Sequence, residues 1–210
     1  MVLYGYAFSS ASYRVRIALG LKDLQVTAVS LDLRAGEQRG VRFLEVNSQG
    51  FVPTLVLDEG DVVTQSMAII EYLDEMHPLP ALLPAPPLQR ARVRSLAQTI
   101  ACDIHPLNNL RVLKYLEGPL RHDKPGRETW YRHWVTEGFD ALERRLASEG
   151  ATGRFCHGDA PTLADICLVP QVFNARRFAV NLDPYPTIVA IDAACRELPA
   201  FQQAAPERQG

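Results

Sequence analysis

The chain has 210 residues, 47% of them apolar and 22% charged, with a formal net charge of -2. This composition supports one large or two small globular domains whose core needs no disulfide or metal, and it excludes global disorder. It lacks a nucleic-acid binder's basic excess and an apolar run of about 18 residues for a membrane span, and its first residues show no charged stretch followed by an apolar one, so no nucleic acid, no membrane, no signal peptide and a cytoplasmic location are expected.

The apolar and aromatic run 2–6 predicts a strand, ended by a Ser-rich loop. Val15, Ile17, Ala18, Leu19 and Leu21 predict a helix over 12–21, with Arg14 and Arg16 on its solvent side. Val26, Ala28, Val29 and Leu31 predict a second strand over 25–31, which completes a strand–helix–strand unit with parallel pairing. The polar stretch 32–40 reads as loop or short helix. Two short runs, 54–57 and 61–64, flank the turn signal Asp58, Glu59 and Gly60 and predict a hairpin. Gln65 and Ser66 then open a helix over 67–76, with Ile69, Ile70, Tyr72 and Leu73 apolar.

Prolines at 78, 80, 84, 86 and 87 deny the next stretch both a helix and a central strand. Residues 78–87 therefore read as a linker between a first domain, 1–77, and a second, 88–210. The second domain reads as entirely helical. Its predicted helices are 88–116 with a kink at Pro106, 127–148, 162–175 and 187–198. Thr162 and Asp165 form a capping-box start for the third of these. Trp130 and Trp134, four residues apart, read as core, and residues 202–210 as a frayed tail.

The cysteines are Cys102, Cys156, Cys167 and Cys195. They show neither a C-x-x-C pair nor a zinc spacing, so no metal is expected and each reads as a small buried apolar residue. The first 101 residues contain no cysteine, which excludes a self-contained dithiol in the loop after the first strand.

Three short features of the first domain are able to carry chemistry. Ser9, Ser10 and Ser12 crowd a helix start, where hydroxyls cap free amides. The positive end of that helix equally suits an anion, a thiolate included. Val52 precedes Pro53, and only an X-Pro bond becomes cis cheaply. A cis bond there would turn the Val52 amide and carbonyl toward the Ser9 loop, to pair with a peptide-like ligand as a strand does. Gln65 and Ser66 sit at a second helix start, suited to capping or to a ligand carboxylate.

In this order and layout these segments resemble the cytosolic glutathione transferases. The run from Ser9 through Ala11, Tyr13, Arg14 and Arg16 to Leu19 resembles the signature of their zeta class. Residues 50–55 and 65–73 are similar to the superfamily at large, and residues 163–172 and 183–188 to the zeta class. The resemblance implies an α/β N-terminal thioredoxin-like domain followed by an all-α C-terminal domain, with glutathione as cofactor, a homodimer, and a small dicarboxylic substrate. It implies that Ser9 and Ser10 lie by the glutathione sulfur, Ser9 donating the direct hydrogen bond. Val52 would pair with the cysteinyl backbone, Gln65 and Ser66 would hold the γ-glutamyl carboxylate, and Gln38 would reach the glycyl end. His105 and Asn109 would face the site from the second domain, and Arg177 would bind a substrate carboxylate. Without the resemblance, His105 reads equally as a packed core histidine, and Arg176 with Arg177 as a solvated pair at a helix end.

The implied activity is glutathione-dependent cis–trans isomerisation of maleylacetoacetate. Maleylpyruvate isomerisation and general conjugation are the alternatives within enzymes. Leu110 favours the first, because relatives acting on maleylpyruvate tend to carry Arg there. A non-catalytic, partner-binding protein of this fold is the alternative of another class, and the retained Ser9, Val52, Pro53, Gln65 and Ser66 argue against it. Two residues depart from the pattern. Ala11 replaces the usual Cys, which is expected to be tolerated because glutathione brings the thiol. Phe8 stands where the family often has Arg or another polar residue, which removes a positive charge.

Overall fold

In the computed structural model, which describes residues 1–209, strand β1 (Val2–Gly5) lies parallel to β2 (Thr27–Ser30). On its other side β1 lies antiparallel to β3 (Thr54–Val56), which pairs antiparallel with β4 (Val62–Thr64), so the sheet order is β2-β1-β3-β4. Leu3 and Leu55 sit opposite each other in the register and both are buried. Helices α1 (Ser10–Leu21) and α3 (Ser66–Met76) pack on each other and bury Val15, Ile17, Ala18, Ile69, Ile70 and Leu73. These elements appear in the order expected from periodicity. Helix α2 (Val41–Val46) was not predicted: of its six residues only Phe43 is buried, which leaves no apolar period to read.

The solvent-facing placement expected for Arg14 and Arg16 is corrected by the structure. Arg14 is only 2% exposed, and Arg16 is half-buried. Helix α1 is enclosed on nearly every side because the C-terminal segment also packs on it: α9 (Pro199–Ala204) lies against α1 and buries Phe201. Arg16 Nε donates to the Ala204 carbonyl at 3.0 Å. The frayed tail expected over 202–210 is therefore an anchored helix followed by a turn at Pro206–Arg208, and Gly210 lies outside the described residues.

The chain divides into one compact unit of residues 1–82 with the C-terminal residues from Arg196 onward, and a second of Leu83–Cys195. This differs from the expected division at 78–87, and one lysine accounts for part of the shift. The side chain of Lys22 is fully buried, and its Nζ donates to Asp74 Oδ1 and to the His77 and Pro80 carbonyls, each at 2.6 Å. Asp74 Oδ1 also accepts from the Leu82 amide at 2.9 Å. The first proline-rich residues, which carry a second cis bond at Leu79-Pro80, are thus tied to the first unit.

The second unit is helical. Where one kinked helix was expected over 88–116, the chain forms α4 (Pro87–Gln98), a π-helical turn (Thr99–Ile104), a 3-10 turn (Pro106–Asn108) and α5 (Leu110–Glu117). Pro106 has no amide to continue the ladder, and the extended Asn109 restarts it as the cap of α5. Helix α6 (Lys124–Ser148), α7 (Leu163–Arg177) and α8 (Pro186–Arg196) complete the unit. Trp130 and Trp134 are half-buried and meet edge to face, not in the core, and Trp130 Nε1 donates to the Leu107 carbonyl at 2.9 Å. Of the cysteines, Cys156, Cys167 and Cys195 are buried as expected, whereas Cys102 is exposed.

Gly138 of α6 faces Ile104 so closely that an added Cβ would collide with its side-chain end, and Ile104 is itself only 1% exposed. Gly138→Ala is therefore expected to destabilise the protein by about 1–3 kcal/mol despite alanine's better helix propensity. Calorimetry should show a melting temperature lower by roughly 3–10 °C. An unchanged or raised melting temperature would show that Ile104 repacks without cost.

Candidate functional site

The first strand delivers the chain to the start of α1. Ser9 is the N-cap, with extended backbone, and its Oγ accepts from the Ser12 amide at 3.2 Å. The capping role is therefore real, and it uses only a lone pair. The hydroxyl proton remains a donor for a ligand. Ser12 Oγ accepts from the Tyr6 amide at 3.3 Å, which pins the loop from within. Arg16 pins it from the side, donating from Nη2 to the Ala7 carbonyl at 2.9 Å and from Nη1 to the Tyr6 carbonyl at 3.4 Å. Burial lowers the Arg16 pKa to about 10, which leaves it charged at neutral pH. Ser10 is buried beside Ser9, and no acidic residue in the first turn offsets the positive helix end.

Val52 precedes a cis peptide bond to Pro53 and lies outside the β3 ladder, which begins at Thr54 opposite Tyr4. Its amide and carbonyl are consequently not part of the sheet. Asn47 Nδ2 holds this loop, donating to the Phe51 carbonyl and to Thr54 Oγ1, both at 2.9 Å. Gly50 has φ +62°, and a Cβ there would lie 2.7 Å from the Gln38 carbonyl oxygen. Only glycine permits that approach, and it brings the turn Glu37–Arg39 against the Val52 loop. Gln38 Oε1 is buried without a hydrogen-bond partner.

Gln65 caps α3 with φ +71°, a left-handed backbone that a non-glycine residue rarely adopts and that clusters at functional sites. Its Nε2 donates to Gln49 Oε1 at 3.1 Å. Ser66 is the first residue of α3, only 6% exposed, and its Oγ accepts from Arg14 Nη1 at 3.4 Å. As in α1, the first turn carries no acidic residue. The first unit thus gathers Ser9, Ser10, Gln38, Val52, Gln65 and Ser66 on a connected set of loops. Two uncompensated helix N-termini suit two anionic groups, and the Val52 backbone suits a peptide.

The remaining three sequence candidates lie in the second unit. His105 is half-buried at the end of the π turn, its amide donating to the Ile100 carbonyl at 2.9 Å. Asn109 Oδ1 caps α5 by accepting from the Arg111 amide at 3.0 Å, which leaves its amide nitrogen as the group for a ligand. Arg177 ends α7, exposed, with Nη1 3.5 Å from Asn174 Oδ1 and its guanidinium over the Phe173 ring. Its neighbour Arg176 pairs with the buried Asp192 at 2.7 Å, so of the two arginines Arg176 has the structural role.

Two residues with central roles were not legible as such. Arg14 sits in a periodic helix and reads as a surface cation, but it is buried against Ser66. Asp165 completes the expected capping box with Thr162, but it is also fully buried and accepts from the Cys156 amide at 2.8 Å. Burial pushes its carboxyl up, while the amides of Cys156 and Thr162 and the Thr162 hydroxyl pull it partly back.

Comparison with known proteins identifies the family. The glutathione S-transferase N-terminal domain family matches residues 8–76, and the C-terminal domain family matches residues 128–201. A probable maleylacetoacetate isomerase of Vibrio cholerae is 47% identical, over 100% of this chain and 97% of that one. Among solved structures, a holo bacterial maleylpyruvate isomerase described as a zeta-class glutathione S-transferase superposes with a TM-score of 0.97. It is 48% identical, with 100% of this chain and 98% of that one covered. A maleylacetoacetate isomerase of Methylobacterium extorquens with bound malonate and glutathione superposes with a TM-score of 0.98, at 41% identity over 100% and 98% of the two chains. The chain belongs to the glutathione S-transferase family, in its zeta class. The thioredoxin-like domain followed by an all-α domain is the architecture of that family. No helix among the described residues is long and apolar enough to cross a membrane.

Proposed function

We propose that the protein converts maleylacetoacetate to its trans isomer, with glutathione as a cofactor that is not consumed. The observation that carries this reading is the pair of hydroxyl-bearing, acid-free helix starts in one unit, with Val52 outside the sheet. Glutathione is a peptide with a thiol in the middle and carboxylates at its ends, and the residues fit it. Ser9 and Ser10 suit the sulfur, Val52 the cysteinyl backbone, Gln65 and Ser66 the γ-glutamyl carboxylate, and the partnerless Gln38 amide oxygen a donor near the glycyl end. When bound, glutathione supplies a thiolate that adds to a conjugated double bond and is expelled again, which frees that bond to turn.

The protein's own share is electrostatic. The start of α1 and the Ser9 hydroxyl favour the ionised thiol, lowering its pKa from about 8.5 toward neutrality. Arg177 receives a substrate carboxylate, and His105 and the Asn109 amide assist on the ligand. The protein is inferred to work as a cytoplasmic homodimer, as the family does.

Isomerisation of maleylacetoacetate and of maleylpyruvate, each followed by absorbance with saturating glutathione, tests the substrate. Faster turnover of maleylacetoacetate supports the reading, and Leu110 at the start of α5 is the residue expected to set the preference. Faster turnover of maleylpyruvate would keep the chemistry and overturn the substrate.

A further inference from the structure

The second unit carries a groove between α5, the start of α6 and the residue that follows α7, with a volume of about 280 Å³. Its apolar walls are Leu110, Leu113 and Phe178. Leu110, Leu113, Lys114 and Glu117 recur at three- and four-residue spacing, so one face of α5 forms one side of the groove. The Phe178 wall is held in place. Its ring stacks on Tyr131 at 3.6 Å with the planes 4° apart, and Tyr131 is itself buried. Its amide donates to the Asn174 carbonyl at 3.0 Å, and its carbonyl accepts from Arg132 Nη1 at 3.5 Å.

The charges of the groove do not balance. Arg127 Nη1 pairs with Glu117 at 2.8 Å, from α6 to α5, and Lys124 pairs with Glu128 at 3.8 Å. Both carboxylates of the lining are thus taken, and Lys114 is left as a cation that makes no ion pair among the described residues. An apolar groove with one spare cation suits a short chain that ends in an anion. Its position identifies the chain. Leu110 directly follows Asn109, and Phe178 directly follows Arg177, two residues of this unit inferred above to meet the ligands. Arg177 takes one substrate carboxylate, and a dicarboxylic substrate has a second to place.

We propose that this groove seats the non-reacting chain of the substrate, and that Lys114 determines specificity by pairing with the carboxylate at the far end of that chain. The inference rests on the isomerase reading above and adds the residue that selects for the second carboxylate. Lys114 lies one helical turn beyond Leu110, about 6 Å along α5, and its flexible stem extends that reach. A chain that stops short of it, or ends without charge, leaves the ammonium in water and gains nothing from the pair. The attraction acts on a part of the substrate that does not react. It therefore strengthens ground state and transition state alike and is read in KM.

Steady-state kinetics at saturating glutathione test this with two substrates, maleylacetoacetate and maleylacetone, which lacks only the far carboxylate. The proteins are wild type, Lys114→Met and the charge-keeping Lys114→Arg. Lys114 is exposed, so these substitutions leave the core as it is. Wild type should show a KM for maleylacetoacetate about 5- to 10-fold below that for maleylacetone. In Lys114→Met the two values should lie within about twofold of each other, through a rise for maleylacetoacetate, and Lys114→Arg should restore most of the difference. A wild-type ratio retained in Lys114→Met, equal losses for both substrates, or a wild type that does not distinguish them would overturn the proposal. Turnover of neither substrate by wild type would overturn the isomerase reading, and the assignment of the groove with it.

Discussion

Ser9→Ala is expected to lower isomerisation at pH 7 by about 100- to 1000-fold while changing glutathione affinity less than about threefold. The reason is the division of labour at the Ser9 hydroxyl. Its lone pair holds the Ser12 amide, and its proton is the donor left for a thiolate. A donor to the charged form lowers the thiol pKa, so its removal raises that pKa and depletes the thiolate at neutral pH. The acid limb of the pH–rate profile should therefore move to higher pH, and the variant should regain part of its activity as the pH rises. Binding is spread over Val52, Gln65, Ser66 and Gln38, none of which the substitution touches. Loss of the cap also costs about 1 kcal/mol of stability, so melting should be measured beside turnover. Equal losses of turnover and affinity, with no shift of the pH profile, would contradict the role.

The largest expected loss of stability is at Asp165. Its Oδ1 accepts from the Cys156 amide at 2.8 Å. Its Oδ2 accepts from the Thr162 amide at 2.7 Å and from Thr162 Oγ1 at 2.8 Å. One carboxylate thus caps α7 and holds the preceding loop. That loop is gripped from its other side by Arg92, which reaches the Cys156 carbonyl at 2.7 Å and Thr152 Oγ1 at 2.9 Å. Asp165→Ala strands two buried amides and a hydroxyl and should cost about 3–5 kcal/mol, a fall in melting temperature of roughly 8–16 °C. Asp165→Asn should be almost as harmful, because its NH₂ must face one of the amide donors. A pH signature accompanies this. With the Asp165 carboxyl raised by burial, the folded state holds the proton more tightly than the unfolded state. Its contribution to stability therefore falls as pH rises from the ordinary carboxylate value through the raised one. That slope should be absent in both variants. A melting temperature within 2–3 °C of wild type for Asp165→Ala would contradict the account.

The sequence carried much of this in local signals. The helix starts at Ser9 and Ser66 and the capping box at Thr162 are short-range patterns, because the groups concerned are close along the chain. The cis bond at Val52-Pro53 was legible only as an option, since the X-Pro pair permits it without requiring it. What stayed hidden was tertiary. Arg14, Lys22 and Asp165 are charged residues at positions where local pattern predicts solvent or simple capping. Arg14 and Lys22 meet partners remote in sequence, Ser66 for Arg14 and residues 74–80 for Lys22, and Asp165 meets the loop at Cys156, nine residues before it. The C-terminal helix α9 was missed for the same reason. It is six residues long and gains its order from packing on α1.

In the proposed reaction the protein itself supplies no nucleophile and relies on the thiol of glutathione. The most direct measurement is the initial rate of maleylacetoacetate isomerisation with glutathione, without it, and with S-methylglutathione, which keeps the peptide and both carboxylates but has no ionisable thiol. Turnover is expected only with glutathione, and S-methylglutathione is expected to inhibit it by competing for the same residues. Turnover without glutathione, or turnover supported by the S-methyl compound, would contradict it.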